Sequence, residues 1–357
     1  MKLRSILTAT TIAYASLSYG QEVEKASPLE ITGSVDTYFK YDFAKKQNIQ
    51  TSFASDQNSV SIGMIDLALK KTTGKASFVG ELSFGPRGQE QSLLNSSSAA
   101  TAGGDLSLSS FHIQNLYATY AFTDQFSMTA GFMGTFVGYE VISPVANFNY
   151  STSYLFSAGP FQNAGIKATY SFSDKVSLMA GLFNDWNAYT DVNGVSHIGA
   201  QLMVAPVEGW SAYLNVLSGT SAGAVGAGTV LDLTTSYQVT DAVKIGLNAA
   251  DYSVANDGGG YSGGALYLQN SFTPGFALGL RGEYFTVKDQ TNGGAALGVA
   301  MGESVTALTL SANLKAGGLT FIPEVRFDNG SAEMFAKENL TPTKSASQFS
   351  LALVYAF

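Results

Sequence analysis

SQFSLALVYAF, residues 347–357, closes the sequence on an aromatic side chain. Phe349, Leu351, Leu353, Tyr355 and Phe357 share one parity; Ser350, Ala352, Val354 and Ala356 share the other. Period two marks a β-strand with two unlike faces. The largest side chains all lie on one face, flanked by aromatics. Such a strand fits a soluble sheet, or the closing strand of a barrel in lipid, where aromatics gather at the membrane interfaces.

Working back from this stretch, sixteen runs of similar length alternate in the same way, near 29–43, 58–71, 75–85, 111–122, 126–136, 160–172, 176–186, 196–205, 209–217, 228–239, 243–253, 261–272, 276–286, 304–315, 318–328 and 347–357. The connections between them alternate too. Those near 72–74, 123–125, 173–175, 206–208, 240–242, 273–275 and 316–317 are tiny, whereas 44–57, 86–110, 137–159, 187–195, 218–227, 254–260, 287–303 and 329–346 are longer. An up-and-down barrel in an outer membrane separates tight turns to one rim and loops to the other. A β-sandwich has no reason to do so. Three hairpins, at 118–132, 168–183 and 235–250, share a Thr/Ser-Asp turn, and Asp124, Asp174 and Asp241 are expected to tighten it by bonding the local backbone.

Charged residues make up 13% of the chain, about half the usual share. Cysteine is absent, so no disulfide framework or thiolate metal site can form. Lys2 and Arg4, the apolar run Ile6 to Ala15 and the small residues around Ser18 and Gly20 form a secretory signal, with a cut expected ahead of Gln21. That divides the chain into a signal peptide, 1–20, and one barrel domain, 21–357. Removing Lys2 and Arg4 from the 19 basic residues leaves 17 against 27 acidic, a net of −10. Nucleic-acid binding, which wants a basic face, is thereby disfavoured.

One parity of each clear strand is nearly pure apolar, as in Phe78, Leu82 and Phe84 or Leu308, Leu310, Ala312 and Leu314. Side chains cannot fill the lumen of a ring of about sixteen strands. The apolar face therefore points outward to outer-membrane lipid, and closure pairs every backbone group. The expected fold class is an all-β transmembrane up-and-down antiparallel barrel with short periplasmic turns and longer extracellular loops.

The strand charges then fall on the inward parity. Asp36, Lys40, Asp66, Lys70 and Glu81 come from the first three strands; Lys167, Asp185, Asp232 and Lys244 from the middle; Arg281, Glu283, Lys315, Glu324 and Arg326 from the last. On the lipid face near the midplane, an Arg or Lys would cost about 2–4 kcal/mol. Each inward charge has two readings, a cross-lumen ion pair that stiffens the wall or a field that filters solutes. Acid and base nearly balance, and the acidity of the mature chain adds a mild lean toward cations.

The stretch at 131–186, with Gly131, Phe132, Gly138, Tyr139, Glu140, Asn149, Tyr150, Ser151, Pro160, Gly165, Asn184 and Trp186, resembles the β-barrel porin-2 (OmpL-like) family. Gly33, Asp36, Tyr38 and Tyr41 of the opening strand fit the same pattern. The resemblance implies a bacterial outer-membrane porin and names no solute. Barrels of this kind commonly end in Phe, so Phe357 is the expected signal for the barrel-assembly machinery. The third long loop, 137–159, is rich in Tyr, Phe, Val and Ile and carries a single charge, Glu140. Two readings stay open for it: folding inward to narrow the pore, with Glu140 as the charge to test, or packing over the rim or a neighbouring subunit of a homotrimer.

Enzymatic chemistry finds little support. His112 and His197 are the two histidines, and no GxSxG, HExxH or phosphate-loop pattern accompanies them. No metal or cofactor is expected. The first strand follows the expected cut closely, which argues against a plugged, energised transporter. The expected function is passive diffusion of small hydrophilic solutes or ions. The alternative is a structural or adhesive barrel whose surface loops bind partners, and bilayer conductance separates the two.

Overall fold

The computed structural model describes residues 27–87 and 111–357, with the backbone alone at 111–112; the predicted signal segment lies outside them. Sixteen strands close into one antiparallel barrel: β1 (Glu30–Asp42), β2 (Ser59–Thr73), β3 (Ala76–Phe84), β4 (Phe111–Ala121), β5 (Phe126–Gly134), β6 (Gln162–Ser173), β7 (Val176–Phe183), β8 (His197–Val204), β9 (Trp210–Gly219), β10 (Gly228–Gln238), β11 (Val243–Val254), β12 (Gly260–Thr273), β13 (Phe276–Val287), β14 (Ser304–Ala316), β15 (Leu319–Gly330) and β18 (Ser345–Ala356). The two-residue strands β16 (Phe335–Ala336) and β17 (Pro342–Thr343) form a small hairpin in the last long loop. Every barrel strand pairs with its chain neighbours, and β18 pairs with β1 to shut the ring. At that seam Phe357 N donates to Gly33 O at 3.0 Å and Gly33 N to Phe357 O at 3.1 Å. All sixteen runs read from the alternation are strands, and short and long connections take turns as expected.

The faces separate as the parity requires. Leu231, Leu266, Leu308, Leu310, Leu353 and Phe357 are exposed on the outside, while their sequence neighbours point into the ring. Aromatic pairs cluster beside the short turns: Tyr120–Phe122, Tyr170–Phe172, Phe272–Phe276 and Tyr355–Phe357, with ring centroids 4.9, 5.0, 5.4 and 6.5 Å apart. This is one interfacial girdle of a membrane barrel. Among the described residues no helix is long and apolar enough to cross a membrane.

The hairpin turns are held differently from the expectation. Thr123 Oγ1 accepts from Gln125 N and Phe126 N, Ser173 Oγ from Lys175 N, and Thr240 Oγ1 from Ala242 N and Val243 N. The hydroxyl one residue earlier makes these bonds, and Asp124, Asp174 and Asp241 are exposed to solvent. A serine or threonine at the start of a turn reaches the backbone two residues on, which leaves the carboxylate nothing to do there.

A bulge shapes the β1–β2 pair. Val35 faces Ile65 and Thr37 faces Ile62, so Gly63 and Met64 together oppose Asp36. Met64 N donates to Asp36 Oδ1 at 2.8 Å, and a side chain at position 63 would occupy the space of that carboxylate.

Candidate functional site

The connection between β5 and β6, residues 135–161, enters the barrel and lies against its inner wall. Its only regular element is a five-residue helix, α1 (Tyr154–Ala158). Ser153 caps it, its hydroxyl accepting from Phe156 N at 3.1 Å. The rest of the loop has no strand to pair with, yet much of it is buried. Unpaired backbone groups in such a place cost free energy comparable to a lost hydrogen bond. Charged side chains of the wall supply the partners.

Glu324 on β15 accepts from Tyr150 N at 2.9 Å and Ser151 N at 3.2 Å. Arg281 on β13 donates to Ser151 O at 2.6 Å, and Arg326 on β15 to Thr152 O at 2.8 Å. Glu283 accepts from Leu155 N at 2.9 Å. The loop's own Glu140 accepts from Ser153 N at 2.7 Å and from Arg281 at 2.7 Å. Across the ring, Asp232 on β10 takes Gly138 N at 3.0 Å. Charge-assisted bonds of this kind are shorter and stronger than neutral ones, which suits them to replace a missing ladder.

Two tyrosines extend the attachment. Tyr150 Oη donates to Asp36 at 2.5 Å and Tyr154 Oη to Asp328 at 2.8 Å. Burial pushes both phenols well above their ordinary value, and the charged neighbours Arg87 and Arg326 oppose the rise without cancelling it. Each hydroxyl therefore stays a neutral donor at physiological pH, and its support fades only in strong alkali.

Glycines receive the aromatic side chains of the loop. A Cβ at Gly199 on β8 would come within 2.6 Å of the Phe136 ring. Gly246 on β11 is similarly filled by Tyr139, and Gly279 on β13 by Phe148. Tyr139 also stacks on Tyr267 with centroids 4.3 Å apart. The first long loop, 43–58, packs on top. Phe53 meets Phe156 and Phe161, both at 5.9 Å, and Ser52 N donates to Ser157 Oγ at 2.8 Å.

The predicted inward charges divide into groups. Asp36, Lys40, Arg281, Glu283, Glu324 and Arg326 are at most 5% exposed, buried between wall and loops. Asp66 and Asp232 are similarly covered, Asp66 under Ser143 and Asp232 beside Asn215 and Asn248. Lys70 sits at the rim, 4.0 Å from Glu30. Glu81 is half-buried and accepts from Asn115 at 2.5 Å. Lys167 lines a smaller internal cavity and Lys244 and Lys315 a larger one. Asp185 is a correction: β7 stops at Phe183, so this residue belongs to the following loop, where it accepts from Ser196 Oγ at 2.8 Å and Ala222 N at 2.8 Å. The alternation runs past the strand end because Asn184 N and Asn187 N continue to bond β6 in the loop.

Open space remains inside, including two cavities among the described residues. One of about 840 Å³ lies between the loop and the short-turn end, lined by Tyr139, Gln201, Tyr213, Thr234, Lys244 and Lys315 among others. The other, about 490 Å³, runs along β4, β5 and β6 beside Asn115, Tyr117, Thr119, Thr129, Lys167 and Thr169. Asp328 and the wall glycines escaped the sequence reading. Inward parity alone picks out Asp328, but the contacts that give the glycines meaning lie too far along the chain to see.

Ser196 Oγ also lies 2.7 Å from His197 Nδ1 and 3.1 Å from Asp191. Imidazole and both carboxylates converge on the one hydroxyl. In a hydrolase triad the carboxylate orients the imidazole and the opposite ring nitrogen meets the serine, so this cluster is not one. No group of three or more potential metal ligands occurs among the described residues.

No curated protein matches the chain. Solved structures do. An anion-selective porin from Comamonas acidovorans superposes with a TM-score of 0.60 at 15% identity, covering 93% of this chain and all of that one. OmpT of Vibrio cholerae gives 0.56 at 13%, covering 92% and 97%. Salmonella typhi OmpF, solved with daunomycin, gives 0.58 at 12%, covering 92% and 97%. At such identity the likeness concerns the fold. The family model described as "Putative beta-barrel porin-2, OmpL-like" matches residues 28–357, nearly the whole length in hand, and the chain belongs to that family of outer-membrane porins.

Proposed function

We propose that this protein is a passive channel through which small hydrophilic solutes and ions cross a bacterial outer membrane, sorted by lumen width and wall charge. The observation that carries this reading is the loop 135–161, bonded inward to β10, β13 and β15, beside cavities with polar lining. The test is single-channel conductance of refolded protein in planar bilayers, for the wild type and for a deletion of residues 145–156. Discrete openings are expected, with larger conductance in the deletion. Unchanged conductance removes the constriction role, and silence in the wild type favours a structural or adhesive barrel.

The same reading extends to assembly. Residues 1–20 would direct export and be cut ahead of Gln21. Phe357, exposed at the seam, would be read by the barrel-assembly machinery. One structural neighbour, OmpT of Vibrio cholerae, is described in a trimer form, which supports a homotrimer here. The outward face would meet lipid directly.

A further inference from the structure

The near balance of acid and base along the inner wall is not uniform in space. Most of the inward carboxylates are committed. Asp36, Glu140, Glu283, Glu324 and Asp328 are each at least nine-tenths buried and bond the loop or an arginine. Asp232 holds Gly138 N and two asparagine amides. Arg281 and Arg326 are enclosed with them. What is left facing the cavities is chiefly cationic: Lys244 and Lys315 on the larger space, Lys167 on the smaller. None of these three lysines forms an ion pair among the described residues. Glu140 lines the larger cavity too, but it is paired with Arg281 at 2.7 Å.

We propose that the lumen favours anions, with Lys167, Lys244 and Lys315 as the residues that set the preference and small inorganic or carboxylate anions as the favoured solutes. This rests on the channel reading above. A charge facing water between low-dielectric walls focuses its field into the passage, whereas a buried carboxylate held by N–H and guanidinium groups has much of its field met locally. Asp56, Asp257, Asp289, Glu333 and Glu338 on the long loops are exposed to solvent, where salt screens them within about 8 Å.

The test is the zero-current potential of the refolded full chain under a potassium chloride gradient. The wild type is expected to pass chloride in preference to potassium. The triple variant Lys167→Gln, Lys244→Gln, Lys315→Gln should lower the chloride-to-potassium ratio by a factor of about five or more, the effect of one unit charge at contact distance in water. Liposome swelling in neutral arabinose should persist, showing that the variant pore is open. A wild-type channel that prefers potassium overturns the proposal, as does an unchanged chloride preference in the triple variant. A protein that opens no channel at all overturns the channel reading itself and this preference with it.

Discussion

Two stretches of the same inner wall differ in what their polar side chains do. On β13 and β15, Arg281, Glu283, Glu324, Arg326 and Asp328 are sealed beneath the inserted loop and bond its backbone or side chains. On β4, β5 and β6, Asn115, Thr119, Thr129, Lys167 and Thr169 line a cavity. Both sets satisfy the same alternation rule. Inward parity therefore says only that a residue avoids lipid. Whether it meets water or another piece of the chain depends on the loops.

The sharpest way to break this contrast is Arg281→Ala. It leaves Glu140 buried without its guanidinium and Ser151 O without a donor, a loss of about 3–5 kcal/mol. Urea unfolding in detergent should show it, and the freed loop should raise single-channel conductance. Gly279→Val comes next. The new side chain takes the space of the Phe148 ring, at a cost of about 1–3 kcal/mol and with noisier channel currents. Gly282→Val, three residues on, is the control: nothing stands within 4 Å of a Cβ there, and both readouts should hold.

Tyr150→Phe is milder. Asp36 keeps Met64 N as a donor, so the loss should be about 1–1.5 kcal/mol in the same unfolding assay. Thr119→Ala, on the cavity side, removes a hydroxyl 2.8 Å from Thr129. Its stability should move by less than about 0.5 kcal/mol while conductance rises slightly. If Thr119→Ala destabilises as much as Arg281→Ala, the two stretches are not different in kind.

The barrel was legible because lipid and water impose a strict rule on every second residue. Leu308, Leu310 and Leu314 on one parity and Thr309, Ser311 and Lys315 on the other leave little freedom of reading. The turn hydroxyls were harder, since Thr123-Asp124 and Thr240-Asp241 offer two side chains able to bond the same backbone and only geometry chooses between them. The alternation carries Asp185 onto a strand because backbone bonds prolong the pattern beyond the end of β7. The loop was half legible: its apolar composition and lone Glu140 marked it as unusual, but the partner Arg281 lies 141 residues away. The sorting of carboxylates from lysines is invisible in sequence for the same reason.

The inserted loop draws its anchors from both ends of the chain, Asp36 near the start and Glu324 near the finish. These two become neighbours only when β18 zips onto β1. The Tyr150–Asp36 bond must then form late in biogenesis, after completion of the cylinder, and the final tightening of the passage with it. Time-resolved refolding should register a wide, leaky intermediate before the mature, tighter one, and a newly inserted copy would briefly compromise the envelope it is built to serve.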